Sequence, residues 1–191
     1  MMLAVLSGQL SVGWNNDYID RERDRASARW TKPIVAGQVK ARVVGIGAIV
    51  AATICVPLSL ASGWPAATVH LAAVAAAWAY NWRLRETAVS FLPYTVAFTL
   101  LPAFITLGLP GHPWPPAWAM LAAGLLGTGA YFINTLPDLD ADAVNGIRGL
   151  AHRLGHSGSL FVAALLMGSA TAVLAGVGSG SSSLTSLLVA G

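Results

Sequence analysis

Charge is what this sequence has least of. Only 10% of its 191 residues are Asp, Glu, Lys or Arg, and 55% are hydrophobic, against roughly 25% charged in soluble domains. That composition excludes an ordinary water-soluble domain and points to a membrane. Cysteine is nearly absent. Cys55 stands alone, so an intrachain disulfide and a cysteine-built metal site are both excluded. It falls inside an apolar run and reads as a small packing residue. The ten-residue alternation of membrane barrels is missing, which leaves helices, since lipid satisfies no backbone polar group. No internal repeat is evident. The net charge of +3 comes from cations interleaved with aspartates beside apolar runs. That arrangement speaks for a membrane surface and against nucleic acid.

What charge there is lies in three segments, Asp17–Arg42, Arg83–Glu86 and Asp138–Arg153, which hold every Lys, Arg, Asp and Glu. Between and after them the sequence predicts five spans, roughly 43–62, 66–82, 88–108, 117–136 and 158–178, each about the length a helix needs to cross 30 Å of hydrocarbon. Pro57, Pro93 and Pro102 fall within them. The connections near 63–65, 109–116 and 179–183 carry no Asp, Glu, Lys or Arg. By the positive-inside rule the charged connections are cytoplasmic, at the plasma membrane. Trp14, Trp30 and Trp82 suit an aromatic belt on that side, and Trp64, Trp114 and Trp118 one on the other. Residues 1–14 are apolar without a basic leader, unlike a signal peptide, and read as the second half of a helix. Residues 181–191 read as the start of a further span.

Two segments carry clustered aspartates: Asn16-Asp17-x-x-Asp20-x-x-x-Asp24 and Asp138-x-Asp140-x-Asp142. On a helix Asp17, Asp20 and Asp24 share a face with Asn16 nearly in line, and Asp138 and Asp142 share another. Asn134 lies one turn before Asp138, inside the membrane end of its span. Stacked carboxylates repel unless a cation lies between them. Mg²⁺ takes such oxygen ligands together with substrate phosphates. Arg29, Lys32, Arg83, Arg85, Arg148 and Arg153 are candidate counter-charges for a polyphosphate. Arg21, Arg23 and Arg25 alternate with the aspartate face and read as topology determinants. His152 reads as structural or as a support for the aspartates, and His70 and His112 carry no site.

These motifs resemble those of the UbiA superfamily of intramembrane prenyltransferases. Asn16 to Asp24, followed by Lys32-Pro33-Ile34-x-x-Gly37, is similar to its first signature. Asp138 to Asp142, followed by Gly146-x-Arg148-Gly149-Leu150-x-x-Arg153-Leu154-Gly155, is similar to its second. Tyr80-Asn81-Trp82-Arg83-Leu84-Arg85 is similar to the loop between them. Ala28-Arg29-Trp30-Thr31 replaces a more usual Asn-containing run. The resemblance implies an all-α, multi-pass transmembrane bundle of nine helices around a cavity open to lipid. On that count the first helix, half of the second and the last one or two lie outside residues 1–191, which form a single domain incomplete at both ends. It implies Mg²⁺ held by Asp17, Asp20, Asp24, Asp138 and Asp142. Asp20, Asp24, Asp138 and Asp142 would be catalytic, and Asn16, Lys32, Tyr80, Arg85, Asn134 and Arg148 would bind substrate. The partners it implies are an isoprenyl diphosphate, a lipophilic acceptor, aromatic or otherwise, and membrane lipid. The reaction would belong to quinone or related lipid synthesis. The competing readings are a cation transporter and an inactive family fragment. Transport sites usually lie near the bilayer midplane, whereas these aspartates begin where helices leave it.

Overall fold

The apolar opening residues and the first aspartates belong to one continuous helix, α1 (Met2–Ala26). In the computed structural model the backbone is described for residues 1–144 and 146–189, and side chains for these except 141, 144 and 178–189. The other helices are α2 (Ala41–Leu60), α3 (Trp64–Trp82), α4 (Leu92–Leu107), α5 (Ala117–Thr135), α6 (Leu139–Val144) and α7 (Leu150–Val189). Single 3₁₀ turns, Leu84–Glu86 and Leu136–Asp138, introduce the second and third charged segments. There is no strand among the described residues.

Punctuation in the sequence sets several boundaries. Gly63 adopts φ 94° and hands the chain to α3, where proline stands in the first turn. Proline there loses nothing, because first-turn amides have no helical acceptor. The same reason corrects the expected place of Pro93. α4 starts at Leu92, not near 88, so Pro93 sits in its first turn, whereas Pro57 and Pro102 lie inside their helices. α7 starts earlier than the expected 158 because its first turn, Leu150–Leu154, is separated from the long apolar part by Gly155 at φ 67°, ψ −176°. The connection expected near 179–183 is not there. The backbone of α7 runs through it, since its Gly and Ser weaken a helix without removing an amide as proline does.

The helices neighbour one another in the order α2–α1–α3–α4–α5–α7, with α2 also touching α3. Small residues set the close approaches. A Cβ on Gly45 of α2 would lie 2.9 Å from the Tyr18 ring, one on Gly127 of α5 would lie 2.8 Å from the Tyr94 carbonyl of α4, and one on Gly129 would meet Met167 of α7 at 2.9 Å. Such contacts join helices where lipid supplies no hydrophobic drive between them.

Among the described residues three helical stretches are long and apolar enough to cross a membrane: Ala41–Leu60, Ala117–Asp138 and Leu150–Val177. Five were expected. α4 has 16 residues, and α3, rich in alanine and carrying His70 and Asn81, is not among the three. Only 22% of the apolar window of Ala41–Leu60 and 11% of that of Leu150–Val177 is buried. Apolar faces so exposed are tolerable in lipid and aggregation-prone in water. The chain is an integral membrane protein. Trp14, Trp30, Trp64, Trp82, Trp114 and Trp118 are all exposed, as interfacial belts require.

Candidate active site

A cavity of about 400 Å³ opens between α1, α3, α4, the end of α5 and the segment that follows it. Its size suits a ligand pocket. From α1 it takes Gln9, Val12, Gly13, Asn16, Asp20, Arg23 and Asp24, a row spaced by three and four residues as one helix face demands. Asp17 is one step round from Asn16, about 100° away. It is not brought to the cavity and pairs instead with Lys32, whose own side chain does line it. Arg23, read from the sequence as a topology residue, is corrected in the other direction. It lines the cavity, and its guanidinium lies 3.5 Å from Asp20.

Asp20 is buried and engaged on both oxygens. Arg85 Nη1 donates to Asp20 Oδ2 at 2.7 Å, and Arg85 Nη2 pairs with Oδ1. Asn16 Nδ2 donates to the same Oδ2 at 3.1 Å. Arg85 is buried too. Burial opposes its charge, but the hydrogen bond and charge of Asp20 outweigh burial and raise its pKa. Behind this pair Asn81 of α3 holds α1 in place, donating to the Val12 carbonyl at 2.9 Å and to Asn15 Oδ1 at 3.2 Å. Asp24 is also buried. Burial raises its carboxyl above the usual range, against the opposing charge of Lys32.

The second motif faces the first across the cavity. Asn134, Asp138 and Asp142 line it; Asp140 does not and is exposed. Arg29 joins the two motifs, pairing with Asp138 and reaching Asp24 Oδ1 at 3.5 Å. Burial opposes its charge, and the Asp138 contact overcomes that and raises its pKa. The Asp142 carboxyl is raised chiefly by burial, against the charges of His152 and Arg23. His152 Nε2 lies 3.4 Å from Asp142 Oδ2, so this histidine stands behind the aspartate. Arg148 is not brought to the cavity. It is exposed, in a separate depression with Ile147, His152 and Arg153.

An aromatic and small-residue wall lies on the apolar side: Ala77, Tyr80, Pro93, Tyr94, Ala97 and Phe98. Tyr80 and Tyr94 meet edge to face at 5.3 Å, with Tyr131 behind both. The Tyr131 hydroxyl is 2.5 Å from Ser90 Oγ and accepts the Ala151 amide at 3.1 Å. Ser90 Oγ accepts the Leu150 amide at 2.9 Å. These bonds fix the start of α7 against the loop that carries Arg85.

Among the described residues no three Asp, Glu, His or Cys side chains converge as a ready-made metal site. The donor set nevertheless fits Mg²⁺ arriving with a phosphate ligand, which needs only one or two carboxylates of the protein. Asp20 and Asp24 on one wall and Asp138 and Asp142 on the other could supply them, each motif with an arginine against it. Among the described residues Arg85 Nε is buried without a hydrogen-bond partner, a donor that a phosphate oxygen would satisfy.

A membrane helix bundle whose cavity combines carboxylates and guanidiniums with an aromatic and small-residue wall is suited to an amphiphile with a polyanionic head. The profile of the UbiA prenyltransferase family matches residues 1–191, and the chain belongs to that family. No curated protein and no solved structure matches it.

Sequence reasoning passed over Gln9, Arg23, Asn81 and Tyr94. For Gln9 and Arg23 a signal existed. Both fall on the helical row of Asn16 and Asp20, seven residues before Asn16 and three after Asp20. Asn81 and Tyr94 depend on how α3 and α4 pack.

Proposed function

We propose that the chain is a Mg²⁺-dependent prenyltransferase that moves an isoprenyl group from its diphosphate to an aromatic or other lipophilic acceptor, in quinone or related lipid synthesis. The observation that carries the reading is the pairing of both aspartate motifs, through Arg29 and Arg85, around one cavity with an apolar wall. Residues 1–191 act as one domain in the plasma membrane, with the aspartates at its cytoplasmic face, where all eleven Lys and Arg residues gather.

In this reading Asp20, Asp24, Asp138 and Asp142 would hold Mg²⁺, which when bound would supply charge neutralisation to a diphosphate. Lys32, Arg23, Arg29 and Arg85 hold its oxygens by charge-assisted hydrogen bonds. Asn16 fixes Asp20, and Asn134 donates from the opposite wall. The allylic carbon–oxygen bond breaks with its electron pair going to diphosphate, a carbon or oxygen of the acceptor bonds to that allylic carbon, and the acceptor loses a proton. The π faces of Tyr80 and Tyr94 attract a developing allylic cation, and the wall they belong to excludes the water that would quench it. Asp20→Ala and Asp142→Ala are each expected to lower prenyl transfer at least about 100-fold. Full activity of both variants with Mg²⁺ would exclude the aspartates from the site.

A further inference from the structure

On the opposite side of α1 from the cavity lies a second concavity, and we infer that it is a binding groove for one anionic phospholipid, with the lipid phosphate between Arg21 and Arg42 and an acyl chain lying along α2. The groove holds about 590 Å³ between α1 and α2, with Trp78 of α3 at its side. Two arginines line its polar end and, among the described residues, no acid does. Arg21 is pre-arranged. Its guanidinium lies 4.5 Å over the Tyr18 ring and donates to the Tyr18 carbonyl at 2.6 Å. Its ion-pair partner, Glu22 at 3.6 Å, is itself largely exposed and does not line the groove. Arg42, on the first turn of α2, is exposed and has no hydrogen bond or ion pair among the described residues.

The rest of the groove changes character with depth. Ile46 and Ile49 continue down the face of α2 from Arg42 and are 51% and 61% exposed. Seven residues of helix cover about 10 Å, so Ile49 lies that far below Arg42, at acyl-chain depth when Arg42 is at headgroup level. Gly45 lines the groove and lets the Tyr18 ring pack close on α2, since a Cβ there would lie 2.9 Å from that ring. Two cations, one of them (Arg42) without an ion pair among the described residues, above an apolar floor at a membrane boundary complement a headgroup phosphate with net negative charge and its chain. A zwitterionic headgroup would bring its own cation to the arginines and lacks that complementarity. None of the groove's residues lines the cavity of the proposed reaction.

The test is native mass spectrometry of the full chain released from nanodiscs of phosphatidylcholine with phosphatidylglycerol. Wild type is expected to retain one phosphatidylglycerol in preference to phosphatidylcholine. Arg42→Gln, a change at an exposed side chain without partners, is expected to lower that retention about fivefold, the share of one cation at a lipid surface. Arg21→Gln/Arg42→Gln should abolish it. Equal retention of the two lipids by wild type would overturn the proposal, as would undiminished retention in Arg42→Gln. Displacement of the lipid by inorganic phosphate would also overturn it, since it would reveal a bare anion site without an acyl component. The readout is lipid mass, so it stands or falls separately from prenyl transfer.

Discussion

At the charged end of α1 one carboxylate meets Arg85, Arg23 and Asn16 at once, and Asp20 is therefore expected to serve stability as well as chemistry. Its side chain is 12% exposed and that of Arg85 7%. Removing one member of such a pair leaves the other charge buried, which costs about 3–5 kcal/mol. The Arg29–Asp138 pair is about a third exposed on both sides, where an ion pair contributes under about 1 kcal/mol. Asp20→Ala and Asp138→Ala should both lose prenyl transfer, but thermal unfolding in detergent should show a large loss only for Asp20→Ala. Equal losses would place the two aspartates in equivalent surroundings, against the burial seen here. The arginines separate in the same way. Arg85→Ala should lower transfer at least about 100-fold, whereas Arg148→Ala should change it by less than about threefold, as exposed positions outside a site do. A collapse of activity in Arg148→Ala would return that residue to the cavity. Residue identity was readable wherever helical spacing alone decides it, which is why Asp20, Asp24, Asp138 and Asp142 were picked out and all line the cavity. It misled for Asp17, which lies one position round the helix from the cavity face and pairs with Lys32, and for Arg148, whose place in a separate depression is a matter of tertiary packing.

The elements that matter most to the site are the short ones. The 3₁₀ turn Leu84–Glu86 carries Arg85, and the start of α7 packs directly on it. Gly149 is the point of contact. A Cβ there would overlap the Arg85 carbonyl oxygen and stand 2.8 Å from Ser90 Oγ. Gly149→Ala should therefore cost about 1–3 kcal/mol through overpacking. It should also depress transfer by shifting Arg85, with retention of helical content in circular dichroism. Wild-type activity in this variant would show that the loop tolerates the shift. The long helices were legible from hydropathy because a span needs only length and apolar residues. The starts of α4 and α7 were not. The first turn of α7 is held by a polar knot of Ser90, Tyr131 and the Leu150 and Ala151 amides, whose members lie 41 and 60 residues apart, and no local pattern announces it.

Across the whole molecule, two halves of the chain each contribute one aspartate motif and one face of a single cavity. Among the described residues α1 and α5 are linked through α3 and α4, and the Arg29–Asp138 pair bridges the two motifs across the cavity. The arrangement places charge at the polar end and an aromatic wall beyond it, the order in which an isoprenyl diphosphate presents its own head and tail. The most direct test of this account is transfer of labelled geranyl, farnesyl and geranylgeranyl groups from their diphosphates to a panel of aromatic acceptors, in membranes containing the protein, with Mg²⁺ or with EDTA. The account predicts a prenylated product that forms with Mg²⁺ and disappears with EDTA. Product that persists undiminished in EDTA, or no product from any donor and acceptor pair in membranes holding the folded protein, would contradict it.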